Sequence, residues 1–139
     1  MFQKFSFGEQ LGIDSNKFVK FSLRLQQAYR ENPYHTSIHA ADVVQNVYYY
    51  LIGGGAQERC KTTSLDLASL FISAAAHDVD HPGNNNVFES KTRSKLATLY
   101  NDQAILENHH AATFFFLIEE EQCNIFEKLK PDDLTKMRK

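Results

Sequence analysis

The sequence predicts an all-α domain, on three observations. Apolar residues recur with helical spacing in several separate stretches, no stretch alternates convincingly in the manner of a strand, and helix start and stop residues flank most of the apolar runs. With 139 residues the chain is one domain by length, long enough to bury a core.

The elements follow in chain order. Asp14 or Ser15 can cap a helix running to about Tyr29, with Phe18, Phe21, Leu25 and Ala28 on one face. Asn32-Pro33 stops it, because the residue before a proline is pushed out of helical geometry. Ser37 is placed to cap a second helix, about Ile38 to Leu51, whose apolar stripe is Ala40, Val43, Val44, Val47 and Leu51. Gly53-Gly54-Gly55 ends that helix and opens a polar loop to Thr63.

Thr63 and Asp66 have the spacing of a capping box for a third helix that ends near His77. Leu65, Leu67, Ala68, Leu70, Phe71, Ile72 and Ala74 to Ala76 wrap most of its circumference, which predicts burial on nearly all sides. Pro82 to Asn86 reads as a loop. Short helices follow at Val87 to Lys91 and Ser94 to Leu99, then a longer one over about Gln103 to Glu120 with Asp102 as its cap. Its Phe114 to Ile118 stripe reads as core. Lys130-Pro131-Asp132-Asp133 is a further helix start, with proline at the first position and acids in the first turn.

Composition removes several classes of function. The chain is 42% apolar and 23% charged, with eleven Phe and six Tyr, which argues against disorder. A net charge of -2 offers no basic field for nucleic acid or an anionic membrane. No apolar run approaches the ~20 residues of a membrane span, and the N-terminus lacks a secretory apolar core. Cys60 and Cys123 lie far apart and outside the histidine clusters, so they read as free thiols of a reducing compartment. The expected location is the cytoplasm, with membrane association through regions outside this chain left open.

Three clusters carry the chemistry. His35 and His39 are four residues apart, and alone such a pair reads as solvated polar residues near a helix start. His77-Asp78 is more telling, because it follows an apolar helix, where a carboxylate is costly unless paired or metal-bound. A carboxylate can bridge two cations; the adjacent imidazole favours zinc, and hard oxygen ligands also suit magnesium or manganese. Asp80 and His81 are placed to orient water from behind. Glu107 and His110 can face one site from a shared helix face. Gly53 to Gly55 has no Lys-Ser/Thr after it and no strand before it, so it is not a phosphate loop. No G-x-S-x-G elbow is present, and neither cysteine has a neighbouring histidine.

The strings NPYHTSIHAADVVQ (32–45), AAAHDVDHPGNNN (74–86) and LYNDQAILENHHAA (99–112) resemble the class I cyclic nucleotide phosphodiesterases, and CNIFEKL (123–129) adds to the likeness. The resemblance runs from about Phe18 onward. It implies a compact multi-helix catalytic domain with the active site in a deep pocket between helices. It implies that His39, His77 and Asp78 bind zinc, and that Asp78 also touches a second ion, magnesium or manganese. His81, Glu107 and His110 would hold water around that ion. His35 would be the general acid at the departing 3′ oxygen, with Tyr34 lining the pocket beside it. The implied reaction is hydrolysis of a 3′,5′-cyclic nucleotide, cAMP or cGMP, to the 5′-monophosphate.

The family's domain is longer. It carries a further metal-binding aspartate, a purine-reading glutamine and an aromatic clamp that find no counterpart before Lys139. Residues 1–139 are therefore expected to be the N-terminal, metal-binding portion of the domain, weakly active or inactive alone, with regulatory domains outside the chain possible in principle. Two other readings stand beside this one: an HD-superfamily phosphohydrolase of another phosphoester, and a non-catalytic helical module with a residual metal centre.

Overall fold

Helix initiation in this chain is mostly local, and the capping residues account for it. In a computed structural model, which describes residues 2–138, α1 (Phe7–Leu11) is followed by α2 (Ser15–Gln27). Asp14 Oδ1 accepts the backbone N–H groups of Asn16 and Lys17, each at 2.9 Å, satisfying two donors that the first turn of α2 leaves open. The second helix is α3 (Ser37–Tyr48), continued by one π-helical turn over Tyr49–Gly53. Its cap is Thr36, not Ser37: Thr36 is extended, and its side chain accepts from the His39 amide. The expected polar loop up to Thr63 contains a short helix, α4 (Ala56–Cys60).

The capping box is formed as expected. Thr63 accepts from the Asp66 amide while Asp66 Oδ2 accepts from the Thr63 amide at 2.8 Å, and α5 (Ser64–Ala76) starts there. Leu67, Ala68, Phe71, Ile72, Ala74 and Ala76 are buried, and Ala68 is fully inaccessible. Leu70 departs from the all-round burial expected of this helix and is 43% exposed. Next come α6 (Asn86–Lys91), capped by Asn85, and α7 (Lys95–Leu99), capped by Ser94. Then come α8 (Ile105–Glu119) and α9 (Pro131–Met137), the latter with proline in its first turn. No strand occurs among the described residues, so the fold is all-α, as expected.

Asp102 does not cap α8. It lies in the left-handed region, as does the flanking Ala104, and α8 begins at Ile105 without a cap from its own flank. The cap comes from the start of α6: Asn86 Oδ1 accepts the Leu106 amide at 2.9 Å. The phenylalanine run also divides. Phe114 is buried against Phe21 and Phe126, whereas Phe116 is 69% exposed because it projects from the opposite side of α8.

The core joins Phe21 and Leu25 of α2, Phe71 and Ile72 of α5, Leu117 and Ile118 of α8, and Ile125 and Phe126 beyond it. Packing of α3 and α8 against α5 brings the histidines of all three segments to the C-terminal end of α5. Among the described residues no helix is long and apolar enough to cross a membrane.

The Thr63–Asp66 box carries a pH signature. Its hydrogen bonds, the Thr63 amide first, hold the Asp66 carboxyl below its ordinary value of 3.8. A depressed carboxylate stabilises the fold above its unfolded value, and that stability is lost as pH falls through the folded value. Asp66→Asn should therefore lower stability at pH 7, with the gap to wild type closing below about pH 4. Urea denaturation at pH 7 and pH 3 checks this, and an equal gap at both would contradict it.

Candidate metal centre

The C-terminal end of α5 is where the site is built, because α5 delivers His77 and Asp78 from a rigid, buried rod. His77 is the C-cap residue, and its Nδ1 lies 2.8 Å from the Ala74 carbonyl. A carbonyl can only accept, so Nδ1 carries a proton, which leaves Nε2 as the nitrogen free to offer a lone pair. That Nε2 sits 3.0 Å from Asp78 Oδ2, itself an acceptor, and His39 Nε2 approaches the same oxygen at 3.5 Å. The ring of His110 repeats the arrangement. Its Nδ1 lies 2.7 Å from the Val79 carbonyl, and its Nε2 is 3.8 Å from Asp78 Oδ1. His110 Nε2 is buried and has no hydrogen-bond partner within the chain.

A neutral ring that presents its Nε2 lone pair to a carboxylate oxygen at these distances is repelled by it unless a proton or a metal ion lies between them. Two groups bring possible ligand atoms within 4.8 Å of one another: His39, His77 and Asp78, and Asp78, His81 and His110. Asp78 belongs to both, one oxygen to each. The donor set therefore fits a divalent metal, and its shared carboxylate fits a pair of them.

Around this centre the remaining expected residues fall as follows. The His35 ring stacks on His81, centroids 3.7 Å apart and planes within 5°. His81 Nδ1 accepts the Gly83 amide at 2.9 Å, which leaves Nε2 as the protonated nitrogen of its neutral ring. Tyr34 is 63% exposed and its ring lies 4.5 Å from that of His39, so it stands at the rim. Glu107 lies on α8 ahead of His110, its carboxylate held by Asn86 Nδ2 at 2.9 and 3.2 Å. A concavity of 530 Å³ lies among α2, α3 and α5, but it is apolar and none of these residues lines it.

Electrostatics sort the groups further. Burial pushes both His81 and His110 below the usual histidine value, favouring neutral rings. The Asn86 hydrogen bond holds Glu107 below the usual carboxylate range. Behind the site, burial raises the Tyr29 phenol to about 12, and its hydroxyl donates to the Ala75 carbonyl at 2.9 Å, tying α2 to the end of α5.

Asp80 corrects an expectation. It was expected to orient water with His81, but its backbone is left-handed (φ 58) and its carboxylate bonds Arg30 and His109 instead. Such a conformation costs about 1–2 kcal/mol in a residue with a Cβ. The residues that local reasoning missed are Arg30, Asn32, Asn86 and His109. Asn32 Nδ2 donates to the carbonyls of His35 (3.3 Å) and His81 (2.8 Å), joining the two segments whose rings stack. A side chain at Gly83 (φ +93) would press a Cβ to 3.0 Å from Asn32 Oδ1, so glycine is needed there. Only the N-N-N run hinted at these clasps; nothing local marks Arg30.

Comparisons with known proteins agree with this geometry. The sequence model of the 3′5′-cyclic nucleotide phosphodiesterase family matches residues 34–139. The chain is 38% identical to the 3′,5′-cyclic-nucleotide phosphodiesterase regA of Dictyostelium discoideum, aligning over 100% of this chain and 17% of that protein. It is 43% identical to the rat (Rattus norvegicus) 3′,5′-cyclic-AMP phosphodiesterase 4C, over 91% of this chain and 24% of that one. The chain thus spans about a fifth of the length of these relatives. The crystal structure of the phosphodiesterase domain of a RhoPDE fusion protein from Salpingoeca rosetta superposes with a TM-score of 0.90. It is 37% identical, and the match covers 99% of this chain and 42% of that one. Sequence and fold agree over nearly the whole chain, and it belongs to the 3′,5′-cyclic nucleotide phosphodiesterase family.

Proposed function

We propose that the protein carrying this chain hydrolyses the 3′ phosphoester bond of a 3′,5′-cyclic nucleotide, and that residues 1–139 supply the metal-holding part of its catalytic domain. The observation that carries this reading is the convergence of His77 Nε2 and His39 Nε2 on Asp78 Oδ2, at 3.0 and 3.5 Å. With its Nδ1 proton committed to Ala74, a neutral His77 ring would offer its Nε2 lone pair to a metal on this side.

His39, His77 and Asp78 would hold zinc. The other oxygen of Asp78 would be shared with magnesium or manganese, with His81, Glu107 and His110 holding water around it. When bound, such a pair neutralises the anionic phosphodiester and makes water acidic enough to act as a nucleophile at neutral pH. The chain's own residues do the rest. Water adds to phosphorus and the P–O3′ bond breaks; His35 as imidazolium gives its proton to the departing 3′ oxygen, and the proton shed by the water passes to solvent, from which the imidazole is recharged. The stack on His81 and the Asn32 clasp hold that ring and its backbone in place. Tyr34 at the rim would line the substrate's approach.

The free Cys60 and Cys123 fit an intracellular, reducing setting, which we propose as the location.

Two outcomes test this reading in the full-length protein. His35→Asn should reduce kcat by about 10²–10⁴-fold while bound metal, measured by elemental analysis, stays at wild-type stoichiometry. Asp78→Asn should lose metal and activity together. An unchanged kcat in His35→Asn, or full metal content in Asp78→Asn, would contradict the assignment. A panel of cyclic and linear phosphoesters separates this activity from that of a phosphohydrolase on another ester.

A further inference from the structure

Asp78 and Asp80 are two residues apart, yet their carboxylates do different work. Asp78 meets the histidine rings, while Asp80 receives Arg30 Nε at 2.6 Å on one oxygen and Arg30 Nη2 at 3.0 Å on the other. His109 Nε2 adds a third contact at 2.7 Å. Arg30 follows α2, Asp80 lies in the turn after α5, and His109 is on α8. A two-pronged guanidinium contact has a fixed planar geometry, and a third donor on the same carboxylate removes its remaining freedom.

The position of the turn gives these contacts their consequence. Val79, one residue earlier, is fully buried, and its carbonyl engages His110 Nδ1. That bond decides which nitrogen of His110 is presented to Asp78. One residue later, His81 stacks on His35, its backbone held by Asn32. His109 is the chain neighbour of His110, so the contact that fastens Asp80 also fastens the helical turn that carries His110.

We propose that Arg30, Asp80 and His109 form a positioning clamp: they hold the left-handed turn so that Val79 fixes the His110 ring and His81 stays against His35. None of the three touches the reacting atoms. The proposal rests on the reading of the site given above, and it adds three residues that act on that site from behind. An ordinary surface ion pair between these partly exposed groups would contribute little to stability and nothing to the chemistry.

The test uses Arg30→Lys and Asp80→Asn in the full-length protein, the lysine variant keeping the charge but not the two-pronged contact. The clamp predicts a kcat lower by about 10–100-fold at unchanged KM, with metal release to a chelator faster by a similar factor. It also predicts that the imidazole ¹H–¹⁵N correlations of His110 change from a single Nδ1–H tautomer to a mixture. Wild-type kcat, metal release and His110 signals in both variants would overturn it, as would losses that merely track the unfolded fraction. If Asp80→Asn fails to fold, Arg30→Lys decides. Should the wild-type protein hydrolyse no cyclic nucleotide, the functional reading falls, while the His110 signals and metal release still decide the clamp.

Discussion

The convergence of three imidazole Nε2 atoms on the Asp78 carboxylate is the constraint on which the rest of this structure turns. His77 and His39 aim Nε2 at one oxygen, and His110 aims Nε2 toward the other. The Nδ1 protons of His77 and His110 are committed to backbone carbonyls on the far side, so in neutral rings it is the Nε2 lone pairs that face Asp78. A divalent cation reverses the sign of every one of these contacts. The buried rod of α5 then has a clear purpose: it holds His77 and Asp78 where small displacements would scatter the ligands.

The backbone acts as the tuning device. The Ala74 carbonyl, the Val79 carbonyl and the Gly83 amide each engage an Nδ1 and thereby select what Nε2 presents to the site. Side chains from remote segments fix that backbone: Tyr29 on Ala75, Asn32 on His35 and His81, and Asn86 on Leu106 and Glu107. Asn86 joins two tasks, since one amide group caps α8 and steadies its carboxylate. The geometry of the histidine–aspartate cluster thus depends on Tyr29, Asn32 and Asn86, which lie outside it.

Elements whose cause is local were legible in the sequence. Asp14, the Thr63–Asp66 box and Ser94 start helices where spacing indicates because each cap is satisfied within three residues, and Pro131 starts α9 without a side-chain cap through its fixed backbone angle. The convergence of His39, His77, Asp78, His81 and His110 was legible through motif likeness, and the geometry agrees with it. What depends on distant partners was not. Asp102 looks like a cap, but Asn86 does that work from 20 residues away in sequence. Asp80 looks like a water-orienting acid, but a left-handed turn sends it to Arg30, 50 residues upstream. Phe116 belongs to an apolar run, yet helical periodicity turns it outward while Phe114 turns in.

Membership in the 3′,5′-cyclic nucleotide phosphodiesterase family and the convergence of histidines on Asp78 point to one and the same proposed metal site. X-ray absorption at the zinc edge on the purified full-length protein tests that link most directly. The expected spectrum shows imidazole and carboxylate ligands at about 2.0–2.2 Å and no sulfur. A thiolate distance near 2.3 Å, or no bound metal at all, would contradict it.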